Sequence, residues 1–160
     1  MGVLNVTPDS FSDGGRYLNR EKAVQQGIRM AREGADIIDV GGESTRPYAR
    51  KVSAEEEMER VVPVIEDLRG ELDIPVSIDT LKADVAEAAL GAGASMINDV
   101  SALRFDSRMV STAADAGVPL VLMHMKGTPE DMQDNPTYAD LLGEIMDFLR
   151  AATDRAVSSL

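Results

Sequence analysis

The sequence predicts an α/β fold, a (β/α)8 barrel represented by about its first five strand-helix units. Three observations lead there. Short apolar runs alternate with helical periodicities along all 160 residues, as a parallel sheet with helical crossovers requires. Each expected strand finishes in a polar residue, namely Asn5, Asp39, Asp79, Asn98 with Asp99, and His124. A barrel gathers its strand ends around one mouth, whereas a doubly wound sheet concentrates function at a single switch point.

Residues 1–6 form the first apolar run, which breaks into a glycine-rich loop reaching Gly15. Ala23, Val24, Gly27, Ile28 and Ala31 then recur at helical spacing over residues 20–33, and Gly34 suits a left-handed cap. Residues 37–40 are the second strand, followed by Gly41, Gly42 and a long loop. Ser53 and Glu56 have capping-box spacing, and the following helix should bury Met58, Val61, Val62, Ile65 and Leu68, with a kink or break at Pro63. Strands are expected near residues 76–79, 96–100 and 120–124, and helices near 81–91, 107–116 and 138–157. Thr137 is the expected cap of the last helix, whose inward stripe would be Leu141, Leu142, Ile145, Phe148 and Leu149.

Residues 1–160 read as one domain, without a linker to divide them. A full barrel needs about 250 residues, so three units and an N-terminal lead-in are expected to lie outside this chain. With a net charge of −12 and 4% aromatic residues, a basic face for nucleic acid is not expected. No apolar run approaches the roughly 20 residues of a membrane span, and no signal-peptide pattern opens the chain. The absence of cysteine excludes disulfides, thiolate metal sites and cysteine nucleophiles and fits a cytoplasmic setting. A homodimer is compatible with the sequence.

Arg46, between Thr45 and Pro47 on the loop after the second strand, is the clearest anion-binding candidate, because a guanidinium can clamp an oxyanion bidentately. A carboxylate at Asp79 needs a partner at the barrel mouth, and a ligand with adjacent N–H donors would supply one. Asn98 offers a donor and an acceptor on the neighbouring strand end. Asp39 and Asp99 read equally well as structural carboxylates that cap loops. His124, the only histidine, reads as a packing group. Met123 and Met125 could pack on a flat ring. A transition-metal site is not expected, while a hard cation such as Mg2+ with oxygen ligands stays open.

Residues 1–15, reading MGVLNVTPDSFSDGG, and residues 39–47, reading DVGGESTRP, closely resemble two signatures of the dihydropteroate synthase family. Shorter matches follow in order at residues 77–80, 97–100 and 122–125. The resemblance implies a (β/α)8 enzyme of folate synthesis in which para-aminobenzoate displaces pyrophosphate from 6-hydroxymethyl-7,8-dihydropterin pyrophosphate, with sulfonamides as competitors. By that resemblance, Asn5 helps hold Mg2+ and the pyrophosphate, and Arg46 binds the departing anion. Asp79 and Asn98 read the pterin edge, and Val100 and Met123 wall the ring. Phe11, Thr45 and Pro47 shape the para-aminobenzoate pocket, and Asp13 pairs with Arg46 to bring the first two loops together. Tyr48 stands where the family usually has glycine. Further ligand-binding groups come from later strands of the family, so the chain alone is expected to be inactive. The alternatives are a pterin-binding, corrinoid-dependent methyltransferase domain, against which residues 44–47 speak, and a non-catalytic pterin-binding module.

Overall fold

The computed structural model describes residues 1–7, 16–44 and 51–158, with side chains described in the first helix from Asn19 onward. Five strands and five helices alternate: β1 (Gly2–Asn5), α1 (Arg16–Arg32), β2 (Ile38–Gly41), α2 (Ala54–Glu71), β3 (Val76–Asp79), α3 (Ala83–Gly91), β4 (Met96–Asp99), α4 (Met109–Ala116), β5 (Leu120–Leu122) and α5 (Leu141–Val157). All strand pairs are parallel, and the spatial order β1-β2-β3-β4-β5 follows the chain. A doubly wound sheet reverses its strand order partway; this sheet never does. The order is that of consecutive barrel units.

The two faces of the sheet differ sharply. Leu4, Ile38, Val40, Val76, Ile78 and Ile97 are all buried and pack with Val61, Ile65, Leu68, Val85, Ala89 and Met109 of the helices. Because side chains alternate along a strand, Val3, Asn5, Asp39, Ser77, Asp79, Met96, Asn98 and Val121 occupy the opposite face. That second face is polar toward its centre, and Val3 and Val121 at its flanks are exposed. It corresponds to the inside of a barrel. Successive helices pack on one another, α1 on α2, α2 on α3 and α3 on α4.

Several boundaries differ from expectation. Asp39 lies inside β2, which runs on to Gly41, and His124 lies two residues beyond the end of β5. Pro63 does not break α2, which runs unbroken over its 18 residues. The fully buried face of that helix is Glu57, Val61, Val64, Ile65 and Leu68, while Met58 and Val62 pack partly buried against the core, so Val64 and a carboxylate join the expected stripe. Ser53 Oγ caps α2 by accepting from Glu56 N at 3.2 Å, while the Glu56 carboxylate meets Arg60 at 2.5 Å. Gly34 adopts the positive φ expected of it.

The last helix departs most. Asp140, not Thr137, caps α5, its side chain accepting from Gly143 N at 3.1 Å. Asp is the stronger cap, and Thr137 instead gives its carbonyl to Lys126 Nζ. Leu141 and Leu142 are exposed rather than inward. The inward face begins a turn later and runs through Ile145, Phe148 and Leu149 to buried Ala152.

Candidate functional site

Parallel register brings the expected site residues into one row. Asn5 is the Cα partner of Gly41, Gly41 of Asp79, Asp79 of Asn98, and Asn98 of Val121. All lie at or near the carboxyl ends of their strands and on the same face, so the Asp79 and Asn98 side chains stand side by side, one interstrand spacing of about 4.8 Å apart. Glycine at position 41 keeps the space between Asn5 and Asp79 clear; a Cβ there would sit 3.5 Å from Asp79 Oδ2. Val100 follows immediately after β4, and Met123, 36% exposed, lies one residue beyond β5. Both border the row as apolar groups.

Beneath the row, Asp39 is buried and its Oδ2 accepts from Asn98 Nδ2 at 3.0 Å. Burial, reinforced by the negative charges of Asp39, Glu57 and Asp99, raises the pKa of Asp79 to about 7. At neutral pH its proton is therefore held loosely, and a ligand offering N–H donors favours the ionised form.

The loop after β2 is anchored by ion pairs that pattern reading did not reveal. Lys82 Nζ contacts Glu43 Oε2 and the fully buried Glu57 Oε2, each at 2.5 Å. Glu43 Oε1 accepts from Val52 N at 3.2 Å, joining the described segments that end at Ser44 and resume at Lys51. Arg60 Nη1 donates to Gly42 O at 2.7 Å. Gly42 is required by packing, since a Cβ would lie 2.7 Å from Val61 Cγ1 and 2.9 Å from Glu57 Cγ. One signal was available in the sequence: Glu57 lies four residues before Val61 on the apolar stripe, and a carboxylate there demands a cation.

Asp99 has the structural role that was one of its two readings. Its Oδ1 accepts from Ser101 N and its Oδ2 from Leu103 N, both at 2.8 Å, which holds the left-handed residues Ala102 and Leu103. His124 packs edge-on against Phe148 at 4.8 Å, as a packing group should. Met125 is buried at 3% exposure, so it cannot lie against a ligand ring as expected; Met123 alone can. Phe11, Asp13, Thr45, Arg46, Pro47 and Tyr48 lie outside the described residues.

Among the described residues, no cluster of three or more His, Cys, Asp or Glu could hold a metal ion, and no helix is long and apolar enough to cross a membrane. Asn5 ends β1 and carries an amide oxygen at the carboxyl end of the sheet. A cavity of about 470 Å³ opens beside the loops, lined by residues including Lys51, Lys82, Phe105 and Pro129. Asn5, Asp79 and Asn98 do not line it, so it is distinct from the row.

Comparison with known proteins agrees with the geometry. Residues 1–159 match the family described as pterin binding enzyme. The chain is 51% identical over 156 residues to the dihydropteroate synthase of Synechocystis, covering 98% of this chain and 54% of that protein. A structure of Xanthomonas albilineans dihydropteroate synthase with 4-aminobenzoic acid superposes with a TM-score of 0.90 at 50% identity, over 99% of this chain and 56% of the other. A second structure of that enzyme, in complex with 7,8-dihydropteroate, gives 0.85 at 46% identity, over 99% and 55%. The chain thus spans about half the length of these relatives.

Proposed function

The chain belongs to the family of pterin-binding enzymes, and from that premise we propose that it forms the pterin-reading half of a dihydropteroate synthase. The complete protein would condense 6-hydroxymethyl-7,8-dihydropterin pyrophosphate with para-aminobenzoate, giving 7,8-dihydropteroate and pyrophosphate. The observation that carries the reading is the register pairing of Asp79 with Asn98, which sets an acceptor beside a mixed donor-acceptor on one face. A flat heterocycle with adjacent N–H and ring nitrogen groups matches that pair.

The chemistry follows from charge. As pyrophosphate leaves, positive charge develops on the pterin methylene and spreads into the ring. A fixed carboxylate at Asp79 gains more from that charge than from the neutral ground state, so it lowers the barrier. Its environment, crowded with acid groups, makes it responsive to an electron-poor ring. Val100 and Met123 would wall the ring. Arg46 would hold the departing anion, Asp13 would pair with Arg46 across the two loops, and Phe11, Thr45 and Pro47 would line the para-aminobenzoate side. Mg2+ belongs to the proposal: Asn5 would help hold it through its amide oxygen, and the ion would supply positive charge to neutralise the departing pyrophosphate. None of these steps requires a protein nucleophile.

The test is turnover by the full protein that carries this chain, beside residues 1–160 alone. Dihydropteroate should form with the first and not with the second. Failure of the full protein to form it, with both substrates and Mg2+ present, sinks the reading.

A further inference from the structure

Asn98 can read a heterocycle in two senses, because its amide can present oxygen and nitrogen in either order. We propose that Asp39 is a positioning residue that fixes the flip of the Asn98 amide, making Asn98 selective for a ring edge that sets an acceptor nitrogen beside an amino donor. The proposal rests on the pterin reading above and names what in this chain enforces it.

The physical basis is local. Asp39 is 3% exposed, inside β2, and its Oδ2 accepts from Asn98 Nδ2 at 3.0 Å. These residues sit two strands apart, with Ser77 of β3, the register partner of Asp39, between their strands. A carboxylate oxygen accepts and does not donate, so it holds the nitrogen of the amide and turns the oxygen away. One Nδ2–H is spent on Asp39. The other and Oδ1 remain as an adjacent donor-acceptor pair in a single fixed order.

That order suits an amidine-like edge, a ring nitrogen next to an amino group. It mismatches an edge in which a carbonyl replaces the amino group. Asp39 Oδ1 and Ser77 Oγ are both buried without a hydrogen-bond partner among the described residues. A buried carboxylate so sparsely satisfied is costly for folding alone, which sets Asp39 apart from Asp99, whose two oxygens each take a backbone N–H.

The experiment measures dissociation constants of the full protein for a 2-amino-4-oxo pterin and for its 2-oxo counterpart, in wild type and Asp39→Asn. The wild type should prefer the amino form by about 100-fold or more, the scale on which sites built for hydrogen bonding reject a mismatched group. In Asp39→Asn the partner at position 39 can accept or donate, so the Asn98 amide is free to turn and the preference should fall by about 10-fold. An equal loss of affinity for both rings, or an unchanged ratio, overturns the assignment of Asp39 while leaving the pterin reading intact. A wild type that binds neither ring overturns both. A second measurement does not depend on the variant folding: in the ligand-free wild type, one Nδ2 proton of Asn98, assigned by its loss in Asn98→Ser, should resist exchange more than the other. Equal, fast exchange of both contradicts the proposal.

Discussion

Lys82 meets the fully buried carboxylate of Glu57 at 2.5 Å and reaches Glu43 at the same distance, so a single ammonium group ties α2 to the loop that follows β2. Glu57 Oε1 has no other partner among the described residues. Removing the cation strands a buried charge. Lys82→Met should therefore destabilise the full protein by roughly 3–5 kcal/mol in chemical denaturation, and Glu57→Met added to it should recover much of that loss. A cost for Lys82→Met below about 1 kcal/mol would contradict the account, since it is the size of an exposed pair.

Asp79 makes stability depend on pH in a defined direction. Burial and its acidic neighbours raise its folded pKa from 3.8 to about 7, so between these values the folded state binds more protons than the unfolded one. The stability that Asp79 contributes is complete below about pH 3.8, declines as pH rises, and is lost above about pH 7. Asp79→Asn removes the titration. The variant should gain stability relative to wild type from pH 4 to pH 8, on the order of 2–4 kcal/mol, measured by urea unfolding at each pH. A difference independent of pH would show that Asp79 titrates normally.

The adjacent glycines should respond differently to the same substitution. Gly42→Ala drives a methyl group into Val61 and Glu57, and overpacking of this kind costs about 1–3 kcal/mol. Gly41→Ala meets Asp79 only at ordinary contact distance, so it should fold normally and weaken pterin binding by occupying the space between Asn5 and Asp79. Thermal unfolding and ligand titration separate the two, and equal destabilisation by both would contradict the geometry.

Asp99 organises the chain after β4 through two backbone bonds of 2.8 Å. Asp99→Ala leaves those buried amides without their acceptors, at a cost of about 1–3 kcal/mol each. Hydrogen exchange at Ser101 and Leu103 should accelerate selectively, and unchanged protection there would exclude this role.

The rhythm of strands and helices was legible because each strand is a short apolar run and each crossover helix carries its own stripe. β3 was expected at residues 76–79 and is found there. Asp79 and Asn98 were legible as neighbours because parallel register needs only the strand ends. Asp39 stays open between a site role and a loop-capping role in the sequence, because a link between β2 and β4 depends on register and amide orientation that no local pattern encodes. The Lys82 ion pairs were hidden for the same reason, joining residues 25 and 39 positions apart. The stripe of α5 was placed a turn too early, since periodicity marks an apolar face but not which turns find a partner. The expected roles of Phe11, Asp13, Thr45, Arg46 and Pro47 come from motif resemblance and fall on residues the structure does not describe.

Whether one flat ring is gripped jointly by Asp79 and Asn98 is answered most directly by a crystal structure of the full protein with 7,8-dihydropteroate bound. Both side chains should lie within about 2.7–3.2 Å of hydrogen-bonding atoms on the same pterin, with Met123 against its face. A pterin seated instead in the cavity beside Lys51 and Phe105, or touching only one of the two residues, would contradict the account.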